Sequence, residues 1–355
     1  MRFLYILKES FLSASKTISA NKLRTLLSLL GVTIGIFAII SVFTVIDSME
    51  DEVKKTLADM GDDVIYVQKW PWAPEKGEEY PWWKYLNRPV PTLKEYTEVK
   101  RRLTSARAVT FLAITQKNVE YKNSSAEDVQ IWGVTEEFDY NRSLNIDKGR
   151  FLTAYEINTG KNSAIIGNEV ASRLFEDEDP VGKSMKVMGN KVIILGVLTR
   201  EGKSFLGGGS MDEVVLLPVK FLGTMVNLKN EQNNPMIWVR AAENISVLEL
   251  KEDLRGVMRG IRRLKPSADD NFALNQTSMI TAGINQIFNV INIAGAIIGI
   301  FSILVGGFGI ANIMFVSVKE RTHIIGIKKA LGAKKRYIML EVLYESGMLS
   351  LIGGI

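Results

Sequence analysis

The chain has no cysteine and one histidine, His323. Disulfide scaffolds, thiolate zinc sites and cysteine nucleophiles are therefore excluded, and a lone imidazole builds neither a multi-histidine metal centre nor a histidine proton relay. Neither G-x-S-x-G nor H-E-x-x-H occurs. Gly182-Lys183-Ser184 and Gly202-Lys203-Ser204 end like a phosphate-binding loop, but Asp177 and Val197 stand where that pattern needs its first glycine. No catalytic residue, cofactor or metal site is expected. Proline is sparse, 9 in 355 residues, and five of the nine fall between Trp70 and Pro91 together with Trp70, Trp72, Trp82 and Trp83. That aromatic segment is expected to pack on its own domain or to meet a partner.

The most informative absence is of charge. No ionisable side chain occurs over residues 25–46 or 271–318. A helix crosses a hydrocarbon core of roughly 30 Å with about 20 apolar residues, so each run is long enough to span a bilayer. The net charge of +5 is concentrated beside these runs: residues 1–24 hold five basic side chains against Glu9, and residues 319–337 hold seven against Glu320. Residues 47–270 are net acidic, with 32 basic and 35 acidic side chains. Basic residues divided in this way make no nucleic-acid surface. By the positive-inside rule the two short basic segments lie in the cytoplasm and the long middle region outside. A cleaved signal peptide is the bland alternative for the first run, but the run exceeds the usual 7 to 15 residues and Asp47, Ser48, Met49 and Glu50 follow without a small-residue cleavage site.

The expected fold class is an α-helical transmembrane protein with a large α/β external domain between spans 1 and 2. The expected order is an amphipathic cytoplasmic helix over 1–24, span 1 over 25–46, an external domain with stalk helices over 47–286, span 2 over 287–317, a cytoplasmic segment over 318–336 and span 3 over 337–355. That third segment is barely long enough to cross, so the chain reads as cut short ahead of a fourth span. Spans without ionisable groups do not suit a channel or a proton-driven transporter. Their small residues at helical spacing, Gly31 and Gly35 in the first and Gly295 and Gly299 in the second, suit close helix pairing within the chain or with another subunit. Residues 271–289 mix polar and apolar side chains and read as one stalk, and 47–60, with Val53, Leu57 and Met60 on one face, as a second.

In the external region, helical patterns appear at 92–103, 168–175 and 247–263. Strand patterns appear at 64–67, 109–114, 129–134, 184–188, 192–198, 214–217 and 237–239. The segment 206–212, with three consecutive glycines, reads as a loop.

After the second run comes Glu320-Arg321-Thr322, then Ile325-Gly326, then Ala330-Leu331-Gly332-Ala333. This order resembles the FtsX-like ABC transporter permeases, and within them the MacB-type mechanotransmission exporters, whose pattern here is E-R-T-x-E-I-G-x-x-x-A-L-G-A. The chain departs from it at Ile324, where the family has Glu. Further likeness lies in Asn21-Lys22-Leu23-Arg24-Thr25, Gly149-Arg150-Phe151, Ala164-Ile165-Ile166-Gly167-Asn168 and Ile194-Leu195-Gly196-Val197-Leu198.

The resemblance implies a coupling helix, carried by Glu320, Arg321, Thr322, Gly326, Ala330, Leu331, Gly332 and Ala333, that docks on a separate ABC ATP-binding subunit. ATP and Mg would be bound by that subunit and not by this chain. It further implies a second copy or a related permease as partner, contact with membrane lipids, a periplasmic membrane-fusion adaptor with an outer-membrane channel, and an inner-membrane location. The implied activity is efflux of a drug, peptide or other periplasmic substrate driven by periplasmic movements. A lipoprotein-releasing permease shares the same topology, an FtsX-type signalling subunit without transport has a smaller external domain, and a sensor without an ATPase partner is the alternative outside the family.

Overall fold

The computed structural model describes residues 22–74, 80–142, 144–176, 178–202 and 210–354. The amphipathic helix expected over 1–24 therefore lies outside the described residues except for its last three, and most of the glycine-rich segment at 206–212 lies outside them too. The chain divides into two units, Met1–Glu50 with Gln286–Ile355, and Asp51–Asn285.

Strands carry the second unit. They are β1 (Val64–Gln68), β2 (Ala106–Tyr121), β3 (Ser124–Val134), β4 (Ile146–Gly149), β5 (Ser163–Ile166), β6 (Ser184–Val187), β7 (Asn190–Leu198), β8 (Val214–Pro218), β9 (Met236–Ala241) and β10 (Ala273–Asn275). One path of pairing runs β10-β1-β9-β2-β3-β8-β5-β7-β4, while β6 pairs with both β2 and β7. Those last two pairings close β2, β3, β8, β5, β7 and β6 into a ring. It is a small barrel, antiparallel throughout except for the parallel pairs of β3 with β8 and β5 with β7. The register shift between Lys117 and Val119 accompanies the bend that lets β2 enter the barrel.

Ahead of that shift β2 belongs to an antiparallel sheet with β9, β1 and β10. In the same unit α2 (Leu93–Arg102) and α6 (Val247–Ile261) bury Val99, Leu250, Leu254 and Met258 in a cluster with Ile65, Val67, Ile237 and Val239. Spacing of 250, 254 and 258 puts one residue per turn on a single face of α6. Thr92 and Glu95 form a reciprocal capping box at the start of α2. An ion pair from Arg262 Nε to Glu95 Oε1, 2.7 Å, then ties the end of α6 to α2. Three shorter helices, α3 (Ala154–Thr159), α4 (Asn168–Phe175) and α5 (Val219–Met225), accompany the barrel strands. A separate apolar cluster gathers Tyr66, Trp132, Phe138 and Trp238, with Trp132 and Trp238 edge-to-face at 6.1 Å.

The long helices are α1 (Lys22–Met60) and α7 (Thr277–Glu320), and they are followed by α8 (Thr322–Ala330) and α9 (Lys335–Gly354). Among the described residues, two helices are long and apolar enough to cross a membrane, over Thr33–Ala58 and Thr277–Glu320.

The expected fold class is corrected on this point. The body of the fold is an α/β unit with a ten-stranded sheet closed partly into a barrel, and the described residues hold two apolar helices of spanning length, not the three or four of an α-helical transmembrane class. The segment expected as a third span falls in α9, where Lys335, Arg336, Glu341 and Glu345 interrupt the apolar sequence and leave no long uncharged run.

A second correction concerns residues 271–289, which do not form one stalk. Ala273, Leu274 and Asn275 are a buried edge strand paired with Gln68, Val67 and Tyr66, and helix starts only at Thr277. The polar Asn275 is buried because its amide is fully used: Nδ2 donates to Gln68 Oε1 at 2.8 Å and to the Trp70 carbonyl at 2.9 Å, and Oδ1 accepts from Trp72 N at 2.9 Å.

Candidate functional site

The segment after α7 is built as a separate short helix by local chemistry. The Arg321 amide donates to the Val318 carbonyl at 3.2 Å, and Thr322 Oγ1 donates to the Lys319 carbonyl at 2.8 Å and that of Val318 at 3.2 Å. The hydroxyl thus takes up carbonyls at the end of one helix while its own residue opens the next. At the far end the Ala333 amide donates to the Lys328 carbonyl at 3.0 Å and the Gly332 amide to that of Lys329 at 3.1 Å. This pair of bonds is a Schellman cap, which needs a left-handed residue, and Gly332 supplies it with φ of +89°. α9 begins two residues after Ala333.

No residue of α8 is buried within the chain. Ile324, Ile327 and Leu331 fall within about 60° of arc on one side of the helix. All three are exposed, Leu331 to 83%. A Cβ placed on Gly326 or Gly332 would meet nothing within 4 Å. Three exposed apolar side chains on one short helix and its cap present a surface that water does not favour and that no described residue of this unit covers. Arg321, Lys328, Lys329, Lys334 and Lys335 surround it with positive charge.

Of the residues expected in the coupling segment, the structure puts Thr322, Gly326 and Ala330 on α8, Leu331, Gly332 and Ala333 in its cap, and Glu320 and Arg321 at the junction with α7. The apolar side escaped sequence reasoning. Ile324 was read only as a departure from a pattern, although its spacing to Ile327 and Leu331 marks a helix face.

The glycines expected at helix contacts are partly brought together. Within the first unit a Cβ on Gly35 would lie 3.5 Å from the Ser302 carbonyl oxygen, one on Gly295 3.3 Å from Phe43 Cζ, and one on Gly299 3.7 Å from Ile39 side-chain carbons. α1 and α7 therefore approach each other through these small residues. Gly31 lies one turn before Gly35 on α1.

Gly182-Lys183-Ser184 has no helix after it. Ser184 opens β6, and Lys183 Nζ is paired with Glu178 at 2.5 Å. The phosphate-binding arrangement, a loop opening a helix, is not formed there. Gly202-Lys203-Ser204 lies mostly outside the described residues.

The family described as MacB-like periplasmic core domain matches residues 25–257, and that described as FtsX-like permease C-terminal matches residues 296–355. The macrolide export ATP-binding/permease protein MacB of Bdellovibrio bacteriovorus is 28% identical over 346 residues, covering 96% of this chain and 51% of that protein. The MacB of Neisseria gonorrhoeae is 24% identical over 351 residues and 51% of its own length. The chain thus spans about half the length of these curated relatives. An uncharacterised ABC transporter permease of Bacillus subtilis, YvrN, is 28% identical over 343 residues, 96% of this chain and 83% of that protein. Among solved structures, the periplasmic region of MacB from Actinobacillus actinomycetemcomitans superposes with a TM-score of 0.51 at 12% identity, over 64% of this chain and 95% of that one, a likeness of fold.

Proposed function

We propose, for a chain that belongs to the ABC transporter permeases with a MacB-like periplasmic core domain and an FtsX-like C-terminal region, that it couples ATP hydrolysis on a separate ATP-binding subunit to movement of its Asp51–Asn285 unit and so drives efflux. In this reading the chain sits at the cell inner membrane with that unit in the periplasm, works beside a second copy or a related permease, and binds no nucleotide itself. Substrate leaves the periplasm through an adaptor and an outer-membrane channel.

The observation that carries the reading is α8, a helix set off from its neighbours by Thr322 and Gly332 with Ile324, Ile327 and Leu331 exposed on one side. A basic segment that served only to fix orientation would need charge and nothing more. Open glycines and an apolar side suit close contact with another protein. ATP-driven closure of the partner subunits would push this helix, and α1 and α7, each of which contributes residues to both units, would transmit the push.

Co-expression of the tagged chain with its ATP-binding subunit tests this. Leu331→Asp and Ala330→Trp should insert normally yet lose co-purification or uncouple hydrolysis from export, while Lys334→Gln should behave as wild type. Wild-type complex formation and efflux in both of the first two variants would overturn the docking assignment.

A further inference from the structure

The turn after α1 is gripped by Arg240. α1 stops at Met60, Gly61 turns the chain with φ of +88°, and β1 begins at Val64. Val64 stands opposite Arg240 of β9 in the ladder, and the Ala241 amide donates to the Asp63 carbonyl at 3.0 Å. The guanidinium meets three neighbours from there. Nη2 sits so close over Gly61 that a Cβ on that glycine would lie 3.0 Å from it. Nε lies 3.2 Å from Asp63 Oδ2, and Nη1 donates to the Tyr140 carbonyl at 2.6 Å. Thr277, which opens α7, bonds to the same turn through the Gly61 carbonyl and the Asp62 carboxylate.

Tyr140 belongs to the short helical turn Phe138–Asn141 that follows β3. That turn is itself fixed: Phe138 and Asn141 are wholly buried, and Asn141 Nδ2 donates to Thr110 Oγ1 of β2 at 2.7 Å. One residue past it, Arg142 pairs with Glu201 at 3.4 Å. The amides of Glu201 and Gly202 donate to the buried carboxylate of Asp212 at 2.9 Å and 2.8 Å. Glu201 follows β7 and Asp212 precedes β8, both of them barrel strands. A contiguous series of contacts thus runs from the turn after α1 to the barrel, and Arg240 joins its first two members.

A half-exposed ion pair with Asp63 would by itself contribute little. It would also point the guanidinium at the carboxylate. Instead the Nε hydrogen is out of line for Asp63 and has no acceptor, while Nη1 is committed to a backbone carbonyl of another segment. The side chain is set for bridging in preference to pairing. We propose that Arg240 is the positioning residue that makes the turn after α1 and the barrel move as one body. Its role in efflux rests on the reading that ATP on the partner subunit displaces α1. The link itself lies wholly within the Asp51–Asn285 unit and needs neither ATP nor that subunit.

The test is the distance between two spin labels on the full chain in nanodiscs, measured by pulsed electron resonance. The chain has no native cysteine, so labels at Lys55→Cys on α1 and Lys191→Cys on β7, both exposed positions, report helix against barrel. A joint freed of its ties opens locally, and Arg240→Gln should widen the distance distribution about twofold. Asp63→Asn, at a half-exposed carboxylate, keeps the fold and should widen it too, with no further widening when the two are combined. Lysine carries the charge without the planar fork, so Arg240→Lys should behave as Arg240→Gln. Lys122→Gln, whose exposed pair with Glu178 takes no part in the link, should match wild type. In complex with the ATP-binding subunit, ATP should leave the wild-type distribution in place and displace that of Arg240→Gln. Wild-type width in Arg240→Gln and Asp63→Asn, or in Arg240→Lys, would overturn the proposal. A widened distribution that ATP fails to displace would support the link and overturn ATP-driven movement of α1.

Discussion

Thr277 Oγ1 donates to the Gly61 carbonyl at 3.3 Å, so the residue that opens α7 is tied to the residue that follows the end of α1. The same hydroxyl lies 3.2 Å from Asp62 Oδ1. Asn275, two residues earlier, holds β10 and the segment after β1 together through three hydrogen bonds.

Breaking this tie should loosen the joint without touching the core. Asn275→Leu leaves the Trp72 amide and Trp70 carbonyl unpaired and should cost about 2–4 kcal/mol, since each orphaned buried group costs about 1–3 kcal/mol. Thr277→Val should cost about 1 kcal/mol. Thermal unfolding followed by near-ultraviolet circular dichroism should fall by on the order of 10 °C in the first variant and by a few degrees in the second. Equal melting in all three proteins would show that the joint bears no load.

The approach of α1 and α7 can be locked covalently. A Cβ on Gly35 would sit 3.8 Å from Ser302 Cβ, about the mean separation in a disulfide. Because the chain has no native cysteine, Gly35→Cys/Ser302→Cys should oxidise to a single intramolecular species, seen as a mobility shift reversed by reductant. Gly326→Cys/Ser302→Cys should not shift.

Glu156 sets an acid-side limit to stability. Arg150 donates to it through Nη1 and Nη2, both at 2.8 Å, and Thr153 adds N and Oγ1, both at 2.9 Å. These donors, Arg150 foremost, lower its pKa from 4.5 to about 2. The folded value lies below the unfolded one, so the contribution is full above about pH 4.5 and is lost as pH falls towards 2. Arg150 is half-exposed, and solvent screening reduces the contribution to about 1–2 kcal/mol. Glu156→Gln should lose that amount at pH 7 and show a shallower decline of melting temperature between pH 4.5 and 2.

Two glycine-to-alanine changes should act in opposite directions. A Cβ on Gly167 would lie 2.2 Å from the Met211 carbonyl oxygen and 2.3 Å from that of Asp212, so Gly167→Ala should cost about 3 kcal/mol or more and reduce the yield of folded protein. Gly256 on α6 has nothing within 4 Å, and Gly256→Ala should stabilise by about 1 kcal/mol. Denaturant midpoints measure both.

Sequence reasoning reached the parts of this fold that are governed by neighbours in the chain. The strands at 64–67, 129–134 and 192–198 were visible because apolar residues mark them at once. Helix α2 was visible from its helical pattern over 92–103, while the capping box of Thr92 and Glu95 that opens it was not read from the sequence. β2 was seen only over 109–114, since its second half, Gln116 to Glu120, is mostly polar and gains its place from pairing with β3 and β6. β10 was hidden inside an uncharged stretch and took its strand form from β1, a partner distant in sequence. The Gly332 cap follows a local rule, a glycine just past the last helical turn. The apolar side of α8 was not legible, because it emerges only when three side chains are placed on one helix and found uncovered.

Gln68 and Asn275, hydrogen-bonded side by side, stand 207 positions apart in the chain. During synthesis at about 5–20 residues per second, β1 therefore waits roughly 10–40 s for β9 and then β10 to leave the ribosome. Through that interval Val64, Ile65 and Val67, wholly buried in the finished protein, have no native partner strand. The barrel, whose strands end at Pro218, is complete earlier. Its early closure would leave β2 presenting one ordered edge, so that nascent β9 pairs with a formed template and β1 is captured last but one. A substitution that delays barrel closure would then lengthen the exposure of β1 and show first as aggregation during expression, with the purified protein's equilibrium stability unchanged.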